Sequence, residues 1–214
     1  PRGCRGAAGA AGGSGGYPPP DLSRLGTADL ADLFIGDLYA YNELRAGLPG
    51  GTRSRPRVQA LAPLPRFWDF GGRQQFSGRV ATVQCFENNL CVRAALSEPG
   101  LGRVLVVDAG ASPRAALLGD NLAELAVRNE WAGVLLHGFL RDAACLRSMP
   151  VGIRALGTYP VKSGKRDWGV RDKPVSFGDV VFSPGDFLYA DEDGVLVADA
   201  DLARLAAEAP AGGA

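Results

Sequence analysis

Among 214 residues there is a single histidine, His137, and the lysines are confined to Lys162, Lys165 and Lys173 in one polar stretch. One imidazole cannot build a zinc site of several histidines, and a Ser-His-Asp relay is not favoured. A Schiff-base nucleophile needs a lysine desolvated among apolar groups, which this glycine-containing stretch does not offer. His137 is read as a polar residue at a strand end. Cysteine is sparse too: Cys4, Cys85, Cys91 and Cys145 show neither CxxC spacing nor the density of a disulfide scaffold. They are expected to be reduced, the last three as small buried hydrophobes. No apolar run approaches the roughly 20 residues of a membrane helix. The 23 basic side chains balance 23 acidic ones, so bulk charge draws the chain neither to nucleic acid nor to an anionic membrane. A soluble intracellular protein with a small-molecule ligand is expected.

What the chain does contain is enough apolar residue, 46%, for one well-buried domain. Residues 1–20 are almost all Gly, Ala and Pro, with Arg2 and Arg5 the only charges. Such a segment cannot bury enough to offset its ordering entropy and is expected to be a disordered tail. It reads either as the remnant of an organelle transit peptide or as a plain low-complexity extension, so the location is cytoplasmic or, in the first case, organellar. The domain is expected over 21–207, and 208–214 should fray.

Between Asp21 and Leu48, Leu30, Leu33, Phe34, Leu38 and Tyr41 recur at helical spacing. Pro49 to Pro56 reads as a surface loop. Beyond it, Arg79–Cys85, Val104–Asp108, Gly133–Leu136 and Val175–Phe182 read as strands, and Leu188–Val197 as a strand pair. Asn88–Leu96 and Asn121–Arg128 read as helices, because their apolar residues fall on single faces. This alternation predicts a single-domain α/β sandwich preceded by N-terminal helices.

The segment from Asp108 to Asp142 carries the chemistry. The strand VLVVD ends in Asp108, and the chain later reaches GDNLAELA, where Asp120 or Asn121 would occupy an N-cap. Backbone N–H groups and the helix dipole there suit a carboxylate, although capping alone would explain the same residues. The next strand delivers Arg141 and Asp142 just past its end, and in α/β folds such ends meet helix starts at a ligand crevice. An arginine can neutralise an oxyanion while the adjacent carboxylate holds a hard cation; an ordinary surface ion pair is the plain alternative. VLVVDAGAS does not continue as GxGxxG or a Walker loop, which argues against a dinucleotide or methyl-transfer cofactor.

From Asp21 to Asp199 the sequence resembles the family of the regulator of ribonuclease E activity A and the class II 4-hydroxy-4-methyl-2-oxoglutarate aldolases. The resemblance is carried by FGGRQQFSGRVATVQCFENN, by GRVLVVDAGASPRAALLGDNLAELAVRNEWAGVLLHGFLRD, and by PVKSGKRDWG and PGDFLYADEDGVLV. The aldolases share an Asp, twenty intervening residues, then Arg-Asp, a spacing met by Asp120, the twenty residues 121–140, and Arg141-Asp142.

The resemblance implies an α/β sandwich of the swivelling phosphohistidine-like type, assembled as a homotrimer with sites between subunits. It implies that Asp142 ligates Mg2+ or Mn2+, that Arg141 contacts a small 2-oxo acid, and that the turn Gly119, Asp120, Asn121 and Leu122 holds its carboxylate. The implied activity is cleavage of 4-hydroxy-4-methyl-2-oxoglutarate-type acids to pyruvate, with oxaloacetate decarboxylation through the same enolate. Arg141 would stabilise that enolate, and Asp120 would orient a water for proton transfer. The alternative is a non-catalytic regulator that binds a ribonuclease, as in the ribonuclease E inhibitors; that branch typically lacks the aspartate after the arginine. Two departures from the family stand out: Asn88-Asn89 where Asp-Asn is usual, and Ala109-Gly110-Ala111 where three glycines are usual. The first removes a charge, and the second is expected to stiffen a loop near the pocket.

Overall fold

The computed structural model describes residues 25–36, 56–165 and 169–208. The expectations for the tail at 1–20, for Leu38 and Tyr41, and for residues 209–214 lie outside these. So does most of the 49–56 loop.

The chain opens with α1 (Thr27–Phe34). Then come β1 (Val58–Ala60), β2 (Trp68–Asp69), β3 (Phe76–Gln84) and α2 (Leu90–Leu96). They are followed by β4 (Val104–Asp108), β5 (Ala116–Leu118), α3 (Asp120–Arg128) and β6 (Gly133–Leu140). Next are α4 (Ala143–Leu146), β7 (Gly152–Thr158) and β8 (Val170–Arg171). The chain closes with β9 (Val175–Phe177), β10 (Val180–Phe182), β11 (Phe187–Asp191), β12 (Gly194–Ala198) and α5 (Leu202–Glu208).

The main sheet runs β1-β12-β11-β3-β4-β6-β7-β2, with β3, β4, β6 and β7 parallel to one another. A parallel sheet is covered on both faces, which is why Val104–Val107 is apolar without alternation. On one face Ala81, Val83, Leu105, Val107, Val134 and Leu136 pack against Val92, Ala95, Leu96, Leu122 and Ala126 of α2 and α3. On the other, Val80, Val104, Val106 and Leu135 pack against Phe177, Phe182, Leu188 and Val197 from the antiparallel strands. The result is the expected single-domain α/β sandwich, with α1 and α5 sealing β11 and β12 through Leu30, Ile35, Leu196 and Leu202.

Several expectations are corrected. Leu33 is exposed, and the buried face of α1 is formed by Thr27 and Leu30, with Ile35 just beyond. Val175–Phe182 is not one strand but the hairpin β9–β10, turned through Gly178 and Asp179 at positive φ. Cys145 is exposed, whereas Cys85 and Cys91 are buried and free.

Strand β7 carries no clear strand signature in the sequence, because Arg154 interrupts its apolar run. That guanidinium is 4% exposed and is satisfied by Asp69 at 2.6 and 3.1 Å, the Gly194 carbonyl at 2.7 Å and the Asp191 carbonyl. A charge this deep survives only with such a full set of partners.

Candidate functional site

The site is created by the pairing of two strands. Strand β5 lies parallel to β6 with Leu118 opposite Leu140, and the Arg141 amide donates to the Leu118 carbonyl at 3.0 Å. The residues that leave the two strands, Gly119 on one and Arg141-Asp142 on the other, therefore emerge side by side. Ligand crevices form at such carboxyl ends of parallel strands.

Gly119, not Asp120 or Asn121, is the N-cap of α3, in an extended conformation, and Asp120 is the first helical residue. The reason is space. A Cβ on residue 119 would lie 2.6 Å from Asp142 Oδ2 and 3.3 Å from Arg141 Cγ. Without it, Asp142 Oδ2 comes within 3.4 Å of the Asp120 amide and 3.3 Å of Arg141 Nε. Asp120 Oδ1 in turn accepts from the Asn121 amide at 2.7 Å and from Asn121 Nδ2 at 2.8 Å, while the Leu122 amide turns back to the Gly119 carbonyl at 3.1 Å. The first amides of α3 thus already meet carboxylate oxygens, the kind of acceptor a helix start favours.

Asp142 holds φ 60° and ψ 30°, in the left-handed region. Outside glycine this conformation is uncommon, aspartate being one of the residues that tolerate it. Such backbone outliers concentrate at functional positions. Here the consequence is geometric: the carboxylate turns towards Gly119 and Asp120.

These side chains border a cavity of about 280 Å³ whose lining includes Gly119, Asp120, Asn121, Leu122 and Arg141. Asp142 flanks it through its contact with Gly119 and Asp120. Asn89 also lines it, fixed by donation from Nδ2 to the Leu117 carbonyl at 3.0 Å. Arg93, Lys162, Ser163 and Lys165 also line it, so among the described residues four cationic side chains face one lining carboxylate, that of Asp120. In the sequence Lys162 and Lys165 read only as part of a polar stretch. They reach the site because residues 161–163 run along β5: the Ala116 amide donates to Val161 and the Ser163 amide to Ala116, at 2.8 and 3.0 Å. Both lysines are exposed, not desolvated as a Schiff-base lysine would be.

A divalent cation would find its donors at the edge of this cavity. Among the described residues no group of three or more His, Cys, Asp or Glu side chains converges, so a closed protein cage is not what the residues offer. A single carboxylate from Asp142, a third exposed and leaving room for water, fits the oxygen-only, water-rich shell of Mg2+ or Mn2+.

His137 lies within β6, not at a strand end. Its Nδ1 is 3.1 Å from Asp108 Oδ1, and its ring stacks on Phe177 at 4.5 Å. Burial would raise the Asp108 carboxyl, but His137, the Gly110 amide and Gln84 together hold it below the usual carboxylate value. Asp108 thus accepts from Gln84 and Gly110 while it pairs with His137. In the loop Ala109-Gly110-Ala111, Gly110 borders a second cavity with Gln84, Phe86, Asp108 and Gly169, and Ala111 sits at φ 52°. Asn88 is buried, its Oδ1 accepting from the Leu90 amide at 2.9 Å to start α2.

Residues 27–197 match the RraA-like family, described as Aldolase/RraA. A Laribacter hongkongensis protein, provisionally named a 4-hydroxy-4-methyl-2-oxoglutarate aldolase, is 54% identical over 140 residues, covering 65% of this chain and 87% of its own. Among solved structures, a Geobacillus kaustophilus protein described as an S-adenosylmethionine:2-dimethylmenaquinone methyltransferase is 44% identical. It covers 83% of this chain and 97% of its own, with a TM-score of 0.69. A Thermus thermophilis protein described as the RNA-processing inhibitor RraA is 43% identical, covering 82% and 93%, with a TM-score of 0.69.

Proposed function

The chain belongs to the RraA-like family, and from that premise we propose that it is a divalent-metal-dependent lyase. It cleaves 4-hydroxy-4-methyl-2-oxoglutarate-type 2-oxo acids to pyruvate and decarboxylates oxaloacetate. The observation that carries this reading is the delivery of Arg141 and Asp142 against the first turn of α3, beside a cavity rich in cations.

Cleavage of the C3–C4 bond needs three things. The C4 hydroxyl must lose its proton, the C3–C4 bonding pair must move towards the C2 carbonyl as an enolate, and that enolate must be protonated at C3 to give pyruvate. Asp120, half-buried at the cavity edge, orients the water that takes the hydroxyl proton. Arg141 donates to the oxygen where enolate charge develops, a contact stronger in the transition state than before it. The start of α3, from Gly119 to Leu122, receives the C1 carboxylate, whose oxygens replace the acceptors those amides now meet. A Mg2+ or Mn2+ ion on Asp142 would supply Lewis acidity at the keto oxygen. In oxaloacetate the same enolate arises when the C4 carboxylate leaves as carbon dioxide, so no further group is required.

A second reading, a protein-binding inhibitor of RNA processing, draws on the description of the Thermus neighbour. The methyl-transfer activity in the Geobacillus description finds no glycine-rich cofactor loop after β4. Assembly as a homotrimer is part of the proposal and rests on the family resemblance; light scattering at micromolar concentration checks it.

The deciding experiment measures pyruvate release from 4-hydroxy-4-methyl-2-oxoglutarate and from oxaloacetate, with magnesium and with excess chelator. Metal-dependent release from both is expected. No release from either in the presence of magnesium would leave the inhibitor reading in place.

A further inference from the structure

Ser163 is 6% exposed, and its hydroxyl has no hydrogen-bond partner among the described residues. It nevertheless lines the cavity that holds Arg141 and Asp120. Buried hydroxyls are almost always satisfied, and one that is not calls for a missing partner. Backbone bonds hold the residue on both sides: its own amide donates to Ala116 at 3.0 Å, and the next amide, Gly164, donates to the Glu87 carbonyl at 2.8 Å. The segment that carries this hydroxyl is thus stitched in place at the cavity wall and is not a loose loop.

Its surroundings say what that partner should be. Arg93, from α2, and Lys162, adjacent in sequence, line the same cavity, so the region about Ser163 is electropositive. A hydroxyl can donate one hydrogen bond and accept others, and among cations the group it best serves is an anionic oxygen. The start of α3 takes the carboxylate beside the keto group and Arg141 the keto oxygen, which leaves this wall for a second carboxylate.

We propose that Ser163 is a specificity-determining residue: its hydroxyl donates to the carboxylate remote from the keto group, with Arg93 and Lys162 balancing the charge. The site therefore selects 2-oxo dicarboxylates over 2-oxo monocarboxylates of the same skeleton. The inference rests on the lyase reading above for its substrates, and the test separates the two.

Turnover of 4-hydroxy-4-methyl-2-oxoglutarate is compared with that of 4-hydroxy-4-methyl-2-oxopentanoate, where a methyl group replaces the distal carboxylate. In parallel, calorimetry with magnesium present follows binding of the non-cleaved pair 2-oxoglutarate and 2-oxopentanoate. The wild-type chain is expected to prefer the diacid in both measurements. Ser163→Ala should cut that preference about 10-fold or more, the scale of one hydrogen bond to a charged group, and Lys162→Gln should reduce it as well. Thermal unfolding of Ser163→Ala should be unchanged or shifted upward, because the hydroxyl it removes is unpaired. If pyruvate is released from neither acid, the lyase reading fails, and the calorimetric preference with its loss in Ser163→Ala still decides the present inference. Equal binding of diacid and monoacid by the wild-type chain, or an undiminished preference in Ser163→Ala, overturns it.

Discussion

Asp142 Oδ2 stands 3.4 Å from the backbone nitrogen of Asp120, a contact between residues 22 apart in sequence. The Asp-to-Arg-Asp spacing thus corresponds to a physical meeting: β5 and β6 run in parallel, and the residues just past the two strands converge at one edge. The turn of α3 and the Arg141-Asp142 pair form one unit.

That contact makes the role of Asp142 separable from folding. Asp142→Asn keeps the shape and tolerates the left-handed conformation, so its stability should change by no more than about 0.5 kcal/mol. Magnesium-dependent pyruvate release should fall by about 100-fold or more, as expected when a neutral amide replaces the ligating carboxylate. Asp142→Ala is a poorer probe, because a β-carbon without a polar tip in this conformation costs about 1–2 kcal/mol. Assays beside thermal unfolding check both, and a folded Asp142→Asn enzyme with full activity would end the ligand assignment.

Arg141→Lys retains the charge but loses the planar fork that can bridge a carboxylate and an enolate oxygen. Turnover is expected to drop about 100-fold, the scale of one lost oxyanion donor, with little change in unfolding temperature because the side chain is partly exposed. Single-turnover kinetics show whether the loss falls on the chemical step. A change confined to KM would place Arg141 in ground-state binding only.

Gly119→Ala tests the space that glycine leaves. The backbone there is extended and admits alanine, but the new Cβ would press on Asp142 Oδ2 from 2.6 Å. Because the neighbour is the end of a side chain, the fold should yield and the carboxylate should move. Magnesium affinity is expected to weaken about 10-fold or more, as when the support of a metal ligand is disturbed; titration calorimetry measures it, and unchanged affinity would show that Asp142 is not held where the metal binds.

Asp108 gives a prediction for pH. Its carboxyl is held below the ordinary value because the bonds from His137, Gly110 and Gln84 outweigh burial. A carboxyl depressed in the folded state adds stability that is complete above the unfolded value and is lost as pH falls through the folded one. Asp108→Asn should therefore cost about 1 kcal/mol near neutrality, with the difference from wild type shrinking below the ordinary value of 3.8. Urea unfolding across the acid range follows this, and a gap that widens on acidification would contradict it.

The sequence by itself was enough for elements whose pattern is local. Val104–Asp108 is bounded as its apolar run indicates, α3 follows the spacing of Leu122, Leu125 and Ala126 and differs only in beginning at Asp120, and the strand pair near the end is β11 and β12. The Arg141-Asp142 pair was legible because it follows an apolar strand, although that strand runs on to Leu140 and does not stop at Leu136. Beyond the reach of pattern were β7, where a buried Arg154 looks polar until Asp69 and two distant carbonyls are brought to it, and three-residue β5, too short to show a period. The departure of Gly119 from the expected cap, the inward position of His137 and the joining of Lys162, Ser163 and Lys165 to the site were likewise decided by tertiary structure. Side-chain periodicity is set by which face of one element meets the core. Which strand ends lie side by side, and which loop crosses them, depends on register between segments far apart in the chain, and that register is fixed only when the sheet closes.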